Sequence, residues 1–161
     1  VTPMVDLDRD DLAILHVLQD DARNATTEEI GAEVGLAAST VASRINDLED
    51  RGVVTGYRPA IDYEKAGFEQ RTLLVGTITD EADEAAIVGD ISEVENVVSV
   101  RRLLADETDL HVELLTDTQQ RVEEATDELH ELGVEIVRTN VIVEERTRPF
   151  DQFGKKYTTD G

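Results

Sequence analysis

The side chains that could catalyse a reaction or hold a metal are three histidines, 37 acidic residues and a scatter of hydroxyls. Their spacing supports neither chemistry. His16, His111 and His130 form no H-x-x-x-H pair. His16 and His130 fall in helical patterns and His111 in a strand pattern, where packing or surface roles suffice. Cysteine is absent, which removes disulfides, thiolate metal sites and a cysteine nucleophile. The carboxylates show no calcium-loop spacing. There is no P-loop and no dinucleotide fingerprint. Ser39 stands at a helix start rather than beside a plausible base. No enzyme, metal or cofactor is expected. The polar groups left to weigh are Thr40, Ser43, Arg44 and Asp47, which lie off the apolar stripe of one short helical pattern.

That helix needs a scaffold, and the first 67 residues supply one. Leu7, Leu12, Ile14, Leu15 and Leu18 recur at helical spacing, with Asp8 as cap, Asp10 and Asp11 in the first turn, and an end near Asp20 or Asp21. Thr26 and Glu29 fit a capping box that opens a second helix, with Ile30 and Val34 inward and Gly35 as its left-handed stop. A third helix runs from about Ser39 to Arg51, because Val41, Ile45 and Leu48 share one face. Gly52 ends it, and Val53-Val54, Gly56-Tyr57 and Ala60-Ile61 read as a two-stranded hairpin. Two short helices joined by a tight glycine turn make a helix-turn-helix whose last helix would fit a major groove about 12 Å wide. A plain three-helix bundle fits the same spacing.

Residues 68–161 alternate strand and helix. Strands are expected at Leu73–Ile78, Val97–Leu104, Leu110–Leu114 and Val134–Val143, and helices at Glu81–Ile91 and Gln119–Leu132. This βαββαβ order is that of a ferredoxin-like domain. Helices should cover one sheet face. Val75, Val100, Val112, Val137, Thr139 and Val141 supply apolar candidates for the other, which a symmetric dimer would bury. The tail from Arg146 loses periodicity at Pro149 and is expected to fray, although Phe150 and Phe153 could dock and Lys155-Lys156 could touch DNA.

Charge bears on all of this. The 161 residues hold 15 Lys+Arg against 37 Asp+Glu, a formal charge of −22. The acidity is spread over both halves, and only three of the basic residues are lysines. Such a surface repels itself in dilute buffer. At ~1 M salt the Debye length is about 3 Å and the repulsion is screened, so the composition suggests the salt-rich cytoplasm of a halophile. It also opposes nonspecific binding to nucleic acid. Residues 1–9 lack a signal-peptide pattern and no apolar run approaches a membrane span of roughly 20 residues, so a cytoplasmic protein with no membrane partner is expected.

The wording of the first 67 residues is more specific than their periodicity. Leu7-Asp8, Asp11, Ile14-Leu15, Leu18, Asp21-Ala22-Arg23, Ile30, Val34-Gly35-Leu36, Ser39, Val41, Arg44-Ile45, Leu48, Gly52-Val53-Val54, Gly56-Tyr57 and Gly67 resemble, in order and without gaps, the Lrp/AsnC family of archaeal and bacterial transcription regulators. The resemblance implies an α+β chain in three parts. A winged helix-turn-helix with a hinge strand would occupy residues 1–67, a ferredoxin-like effector-sensing and oligomerisation domain 68–145, and a tail 146–161. It implies double-stranded DNA as partner, self-association as a dimer, tetramer or octamer, and a small effector such as an amino acid. Ser39, Thr40, Ser43, Arg44, Asn46, Arg51 and Arg58 are the implied DNA-binding residues. For Arg44 a structural ion pair competes evenly with a DNA contact, and Arg51 and Arg58 lean structural. Family members usually open the recognition helix with Ser. Here the position is Ala37, a missing cap costing about 1 kcal/mol unless Ser39 replaces it and shifts the helix start. Residues 36–58 carry no net charge, so neutral hydrogen-bonding groups would carry more of the recognition.

The family's effector loop would correspond to Asp106, Glu107, Thr108 and Asp109, with Thr139 from the last strand. Asp109 matches the family acid, whereas Asp106 stands at its glycine and Val141 at a usual Thr. The pocket is thus altered, suited to a cationic ligand, or a solvated acidic turn. A reading from a different class is a ligand-sensing or oligomerising module whose helix-turn-helix contacts protein.

Overall fold

A computed structural model describes residues 2–79, 84–105, 107–150 and 152–159. The elements are α1 (Arg9–Asp21), α2 (Thr27–Val34), α3 (Ala38–Asp50), β1 (Gln70–Ile78), α4 (Glu84–Ser92), β2 (Val97–Arg102), β3 (Leu110–Thr116), α5 (Gln119–Glu131), β4 (Val134–Val141) and α6 (Gln152–Lys155). They fall into two compact units, Val1–Pro59 with Arg146–Gly161, and Ala60–Glu145. None of the helices is long and apolar enough to cross a membrane, among the described residues.

In the first unit, local chemistry sets the helix starts. The Asp11 N–H donates to Asp8 Oδ1 at 2.9 Å and the Asp8 N–H to Asp11 Oδ2 at 3.2 Å, a reciprocal cap on α1. Thr26 and Glu29 do the same for α2, at 3.2 and 3.0 Å. Gly35 takes φ 76° and stops α2 in the left-handed region, as its sequence position implies. Ile14, Val17, Ile30, Val41 and Leu48 form the buried centre, with Ile45, Val34, Leu36, Val53 and Val54 packed around it.

The expected hairpin is not formed. The N–H groups of Val53 and Val54 both donate to the Leu48 carbonyl, at 2.9 and 3.1 Å, closing the end of α3. They are therefore unavailable to a ladder, and Pro59 has no N–H to offer one. The wing and the hinge strand thus carry no strand pairing within this chain. The tail also differs from expectation: instead of fraying, Gln152–Lys155 form α6 and pack on α1.

The second unit is a four-stranded antiparallel sheet in the order β2-β3-β1-β4, with α4 and α5 against one face. The expected start of the fourth helix at Glu81, and Ala82 with it, lies outside the described residues. Leu74, Leu110, Val112, Leu114, Val122, Ala125, Leu129 and Val134 are buried with Ile91 and Val94 between sheet and helices. Pairing corrects the two-faced reading. Val112 registers with Leu74 and Val100 with Val112, so both belong to the helix-covered core. Thr139 and Val141 register with Leu74 and Thr72 on that same side, exposed on the edge strand. The opposite face keeps Leu73, Val75 and Leu115, but its centre is polar. Glu113, 3% exposed, accepts from Arg71 Nε at 2.9 Å and again from the same guanidinium, with Arg101 at 3.8 Å.

Candidate nucleic-acid interface

The approach to α3 is set by a glycine. The N–H groups of Gly35 and Leu36 both donate to the Gly31 carbonyl, at 2.8 and 3.0 Å, which folds the turn tightly onto α2. A Cβ on Gly31 would lie 2.4 Å from the Leu36 carbonyl oxygen, so this approach requires glycine. The next residue, Ala37, is the N-cap of α3 and makes no side-chain cap bond. Ser39 does not replace it. The Thr40 and Val41 N–H groups fold back onto the Ala37 carbonyl, both at 3.0 Å, which places Ser39 inside the first turn.

With Val41 and Leu48 buried, the other faces of α3 point outward. Ser39, Thr40, Ser43, Asn46 and Asp47 are exposed, and Arg44 is half-buried. Ser39, Thr40, Ser43 and Asp47 line an open groove of about 720 Å³ together with Asp6, Asp8, Asp11, Arg44 and Arg51. The groove's arginines face inward. Arg44 donates to Asp8 Oδ1 and Oδ2 at 2.9 and 2.8 Å and to Asp11 Oδ1 at 2.8 Å, with Asp10 at 3.7 Å. Hydrogen bonds to Asp8 and then Asp11 raise its already high pKa. The Asp11 N–H, with Arg44 assisting against the effect of burial, holds the Asp8 carboxyl below the usual aspartate range. Arg51 donates to Asp47 at 2.7 Å and to the Asp6 carbonyl at 2.6 Å. Arg58 is exposed on the segment beyond α3.

Two features of this region escaped the sequence reading. Tyr57 donates to Glu49 Oε1 at 2.8 Å, and burial, then that carboxylate, pushes its hydroxyl pKa up to about 12. Gly31 is the other: a glycine inside a helical pattern was its only signal.

The candidate effector residues do not converge. Asp106 lies outside the described residues. Glu107 is exposed, and Thr108 and Asp109 are half-buried. Asp109 accepts from Arg102 at 2.6 Å, and its carbonyl accepts from the Leu103 N–H at 2.7 Å. Burial raises the Asp109 pKa, but Arg102, Thr77 and its own N–H outweigh that and leave it lowered. Thr139 stands on β4, separated from β3 and this loop by β1. Among the described residues no group of three or more His, Cys, Asp or Glu side chains is placed to hold a metal ion.

Known proteins resemble this chain in sequence and fold. The AsnC-type helix-turn-helix domain matches residues 7–49. The HTH-type transcriptional regulator Ptr1 of Methanocaldococcus jannaschii is 28% identical over 113 residues, 70% of this chain and 75% of that one. PH0140, an uncharacterised HTH-type transcriptional regulator of Pyrococcus horikoshii, is 30% identical over 121 residues, 74% of this chain and 73% of its own. Among solved structures, the feast or famine regulatory protein of M. tuberculosis complexed with L-methionine superposes with a TM-score of 0.80 at 24% identity, covering 92% of this chain and 99% of the other. That likeness establishes the same fold, a helix-turn-helix joined to a ferredoxin-like domain.

Proposed function

This chain belongs to the Lrp/AsnC family of helix-turn-helix transcription regulators, and we propose that it reads operator DNA chiefly through neutral groups of α3. The observation that carries this is the division of labour on that helix. Ser39, Thr40, Ser43 and Asn46 are exposed, while Arg44 and Arg51 are held by carboxylates or a carbonyl of the same unit. Hydroxyls and amides can meet base edges in the major groove, where each base pair shows its own donor and acceptor pattern. The uncapped first turn of α3 leaves backbone N–H groups available to a phosphate. Arg44 then serves the fold, and Arg58, exposed beyond α3, can meet phosphate.

The protein works as a symmetric oligomer in the cytoplasm and not as an enzyme. A dimer would present two α3 helices about 34 Å apart, one DNA turn, or a multiple of it. A small effector fits the same reading, since a relative of this fold was solved with L-methionine. Because β1 separates Thr139 from Thr108 and Asp109 in one chain, a pocket that used all three would have to draw on a second copy.

The test is a gel shift on the DNA upstream of the protein's own gene, run at molar potassium chloride. Sequence-specific retardation is expected, and Ser43→Ala with Asn46→Ala should weaken it by about 1–3 kcal/mol for each base pair that then goes unread. If no genomic fragment is retarded at any salt, the helix-turn-helix contacts protein instead and the DNA reading fails.

A further inference from the structure

Phe150 and residues 152–159 attach to the helical unit at three separated points. At one end, Gln19 Nε2 of α1 donates to the Phe150 carbonyl at 3.0 Å. In the middle, Gly154 is buried against α1 so closely that a Cβ there would lie 1.9 Å from the Leu12 carbonyl oxygen and 3.0 Å from His16 Cβ. At the other end, the Thr159 N–H donates to the Glu33 carbonyl at 3.1 Å. Glu33 belongs to the last turn of α2, whose carbonyls have no partner within the helix, so this bond satisfies a group that needs one. Phe153 is half-buried and stacks on Phe150 with ring centroids 5.5 Å apart. The segment thus ties α1 to α2 from outside.

The unit it joins is small. A domain of about 60 residues buries only about 60% of the surface its unfolded chain exposes, and such domains are marginal. Among the described residues five side chains form the buried core, and two of them, Ile14 and Val17, come from the helix that the segment covers. The N-cap of that same helix, Asp8, and its first-turn Asp11 hold Arg44 of α3.

We infer that Phe150 and residues 152–159 are a positioning clasp of the DNA-reading unit: docked on α1 and α2, they fix the helix from which Asp8 and Asp11 hold α3. The clasp acts without touching DNA. In the chain it follows β4 after residues 142–149, so the sequence of the second unit lies between two pieces of the first.

Hydrogen exchange on the full chain in molar potassium chloride, paired with DNA affinity across a salt series, tests this. The amides of Tyr157, Thr158 and Thr159 should be protected in the unaltered protein. Gly154→Ala adds one methyl group that meets backbone, and alanine favours a helix over glycine, so any loss comes from undocking rather than from α6 itself. It should remove that protection, speed exchange in α1, and weaken binding to the upstream DNA about tenfold with the salt slope unchanged. Phe153→Ala, which removes the half-buried ring, should move each readout the same way by less, and stands in if Gly154→Ala does not fold. Lys155→Ala with Lys156→Ala should change neither affinity nor slope. Free exchange at Thr159 in the unaltered protein overturns the inference. So does undocking that leaves α1 exchange and affinity unchanged, or a shallower salt slope in the lysine variant, which would make the segment a phosphate contact. Failure of the unaltered protein to bind DNA would sink the regulator reading alone, because exchange still decides whether α1 depends on the clasp.

Discussion

Arg44 sits on α3 with its charge spent on Asp8 and Asp11 at the start of α1. Asp11 is nearly buried, with 8% of its side chain exposed, so removing its partner strands a carboxylate away from water. Arg44→Ala should destabilise the helical unit by about 1–3 kcal/mol, a value kept modest because Asp8 is half exposed. Urea unfolding followed by circular dichroism checks it. The pair also has a pH signature. The Asp8 pKa is lower folded than unfolded, so its stabilisation is complete above the unfolded value of about 3.9 and fades as pH falls through the folded one. Asp8→Asn retains a good cap but loses the charge. It should be less stable than the parent at pH 6, with the gap closing below about pH 4. A gap that stays constant down to pH 2 would show that the cap rather than the charge matters. The sequence left Arg44 undecided between DNA and an ion pair for a physical reason. The Asp8–Asp11 cap is local and legible, whereas its link to Arg44 spans 33 and 36 residues and appears only on folding. Gly31 teaches the same point. Gly31→Ala should cost about 1–3 kcal/mol against the Leu36 carbonyl, measured by thermal melting, although helix propensity alone predicts a gain.

Among elements, those whose ends are set by near neighbours were readable. The starts of α1 and α2, the stop at Gly35, and the shared face of Val41, Ile45 and Leu48 follow from residues within one or two turns. What pairs at a distance was not. Alternation along β2 and β3 separates two faces without saying which one the helices cover, so Val100 and Val112 were expected on the wrong side. Glu113 with Arg71 then occupies the centre of the face expected to be apolar. The hairpin failed because the end of α3 claims the amides it needed. The bare start of α3 offers a test at this scale. Ala37 has φ −67° and ψ 146°, an extended conformation suited to a capping side chain. Ala37→Ser should stabilise the protein by about 1 kcal/mol, read as a higher urea midpoint at unchanged slope. No gain would mean that the Thr40 N–H, already folded onto the Ala37 carbonyl, does not welcome a second acceptor.

At the scale of the whole molecule, a charge of −22 opposes both folding and approach to DNA. The returning tail softens the first problem for the helical unit by bringing Arg146, Arg148, Lys155 and Lys156 to it, a return that no local pattern in the sequence announces. Salt softens both. At 0.1 M the Debye length is about 10 Å, comparable to the spacing of surface charges, and at 1 M it is about 3 Å. We therefore expect the melting temperature to rise steadily as potassium chloride is raised from about 0.1 to 2 M, most of the rise coming before screening saturates. DNA binding should respond differently from that of a basic regulator. Each phosphate neutralised contributes about −0.9 to the slope of log K against log salt. With Arg44 and Arg51 held internally, Arg58 supplies about one such contact per protomer from residues 36–58, so a dimer should show a slope near −2. Fluorescence anisotropy across a salt series measures it. A slope of about −6 or steeper would mean that Arg44 and Arg51 abandon their carboxylates for phosphate, and the proposal that neutral groups of α3 carry recognition would fall.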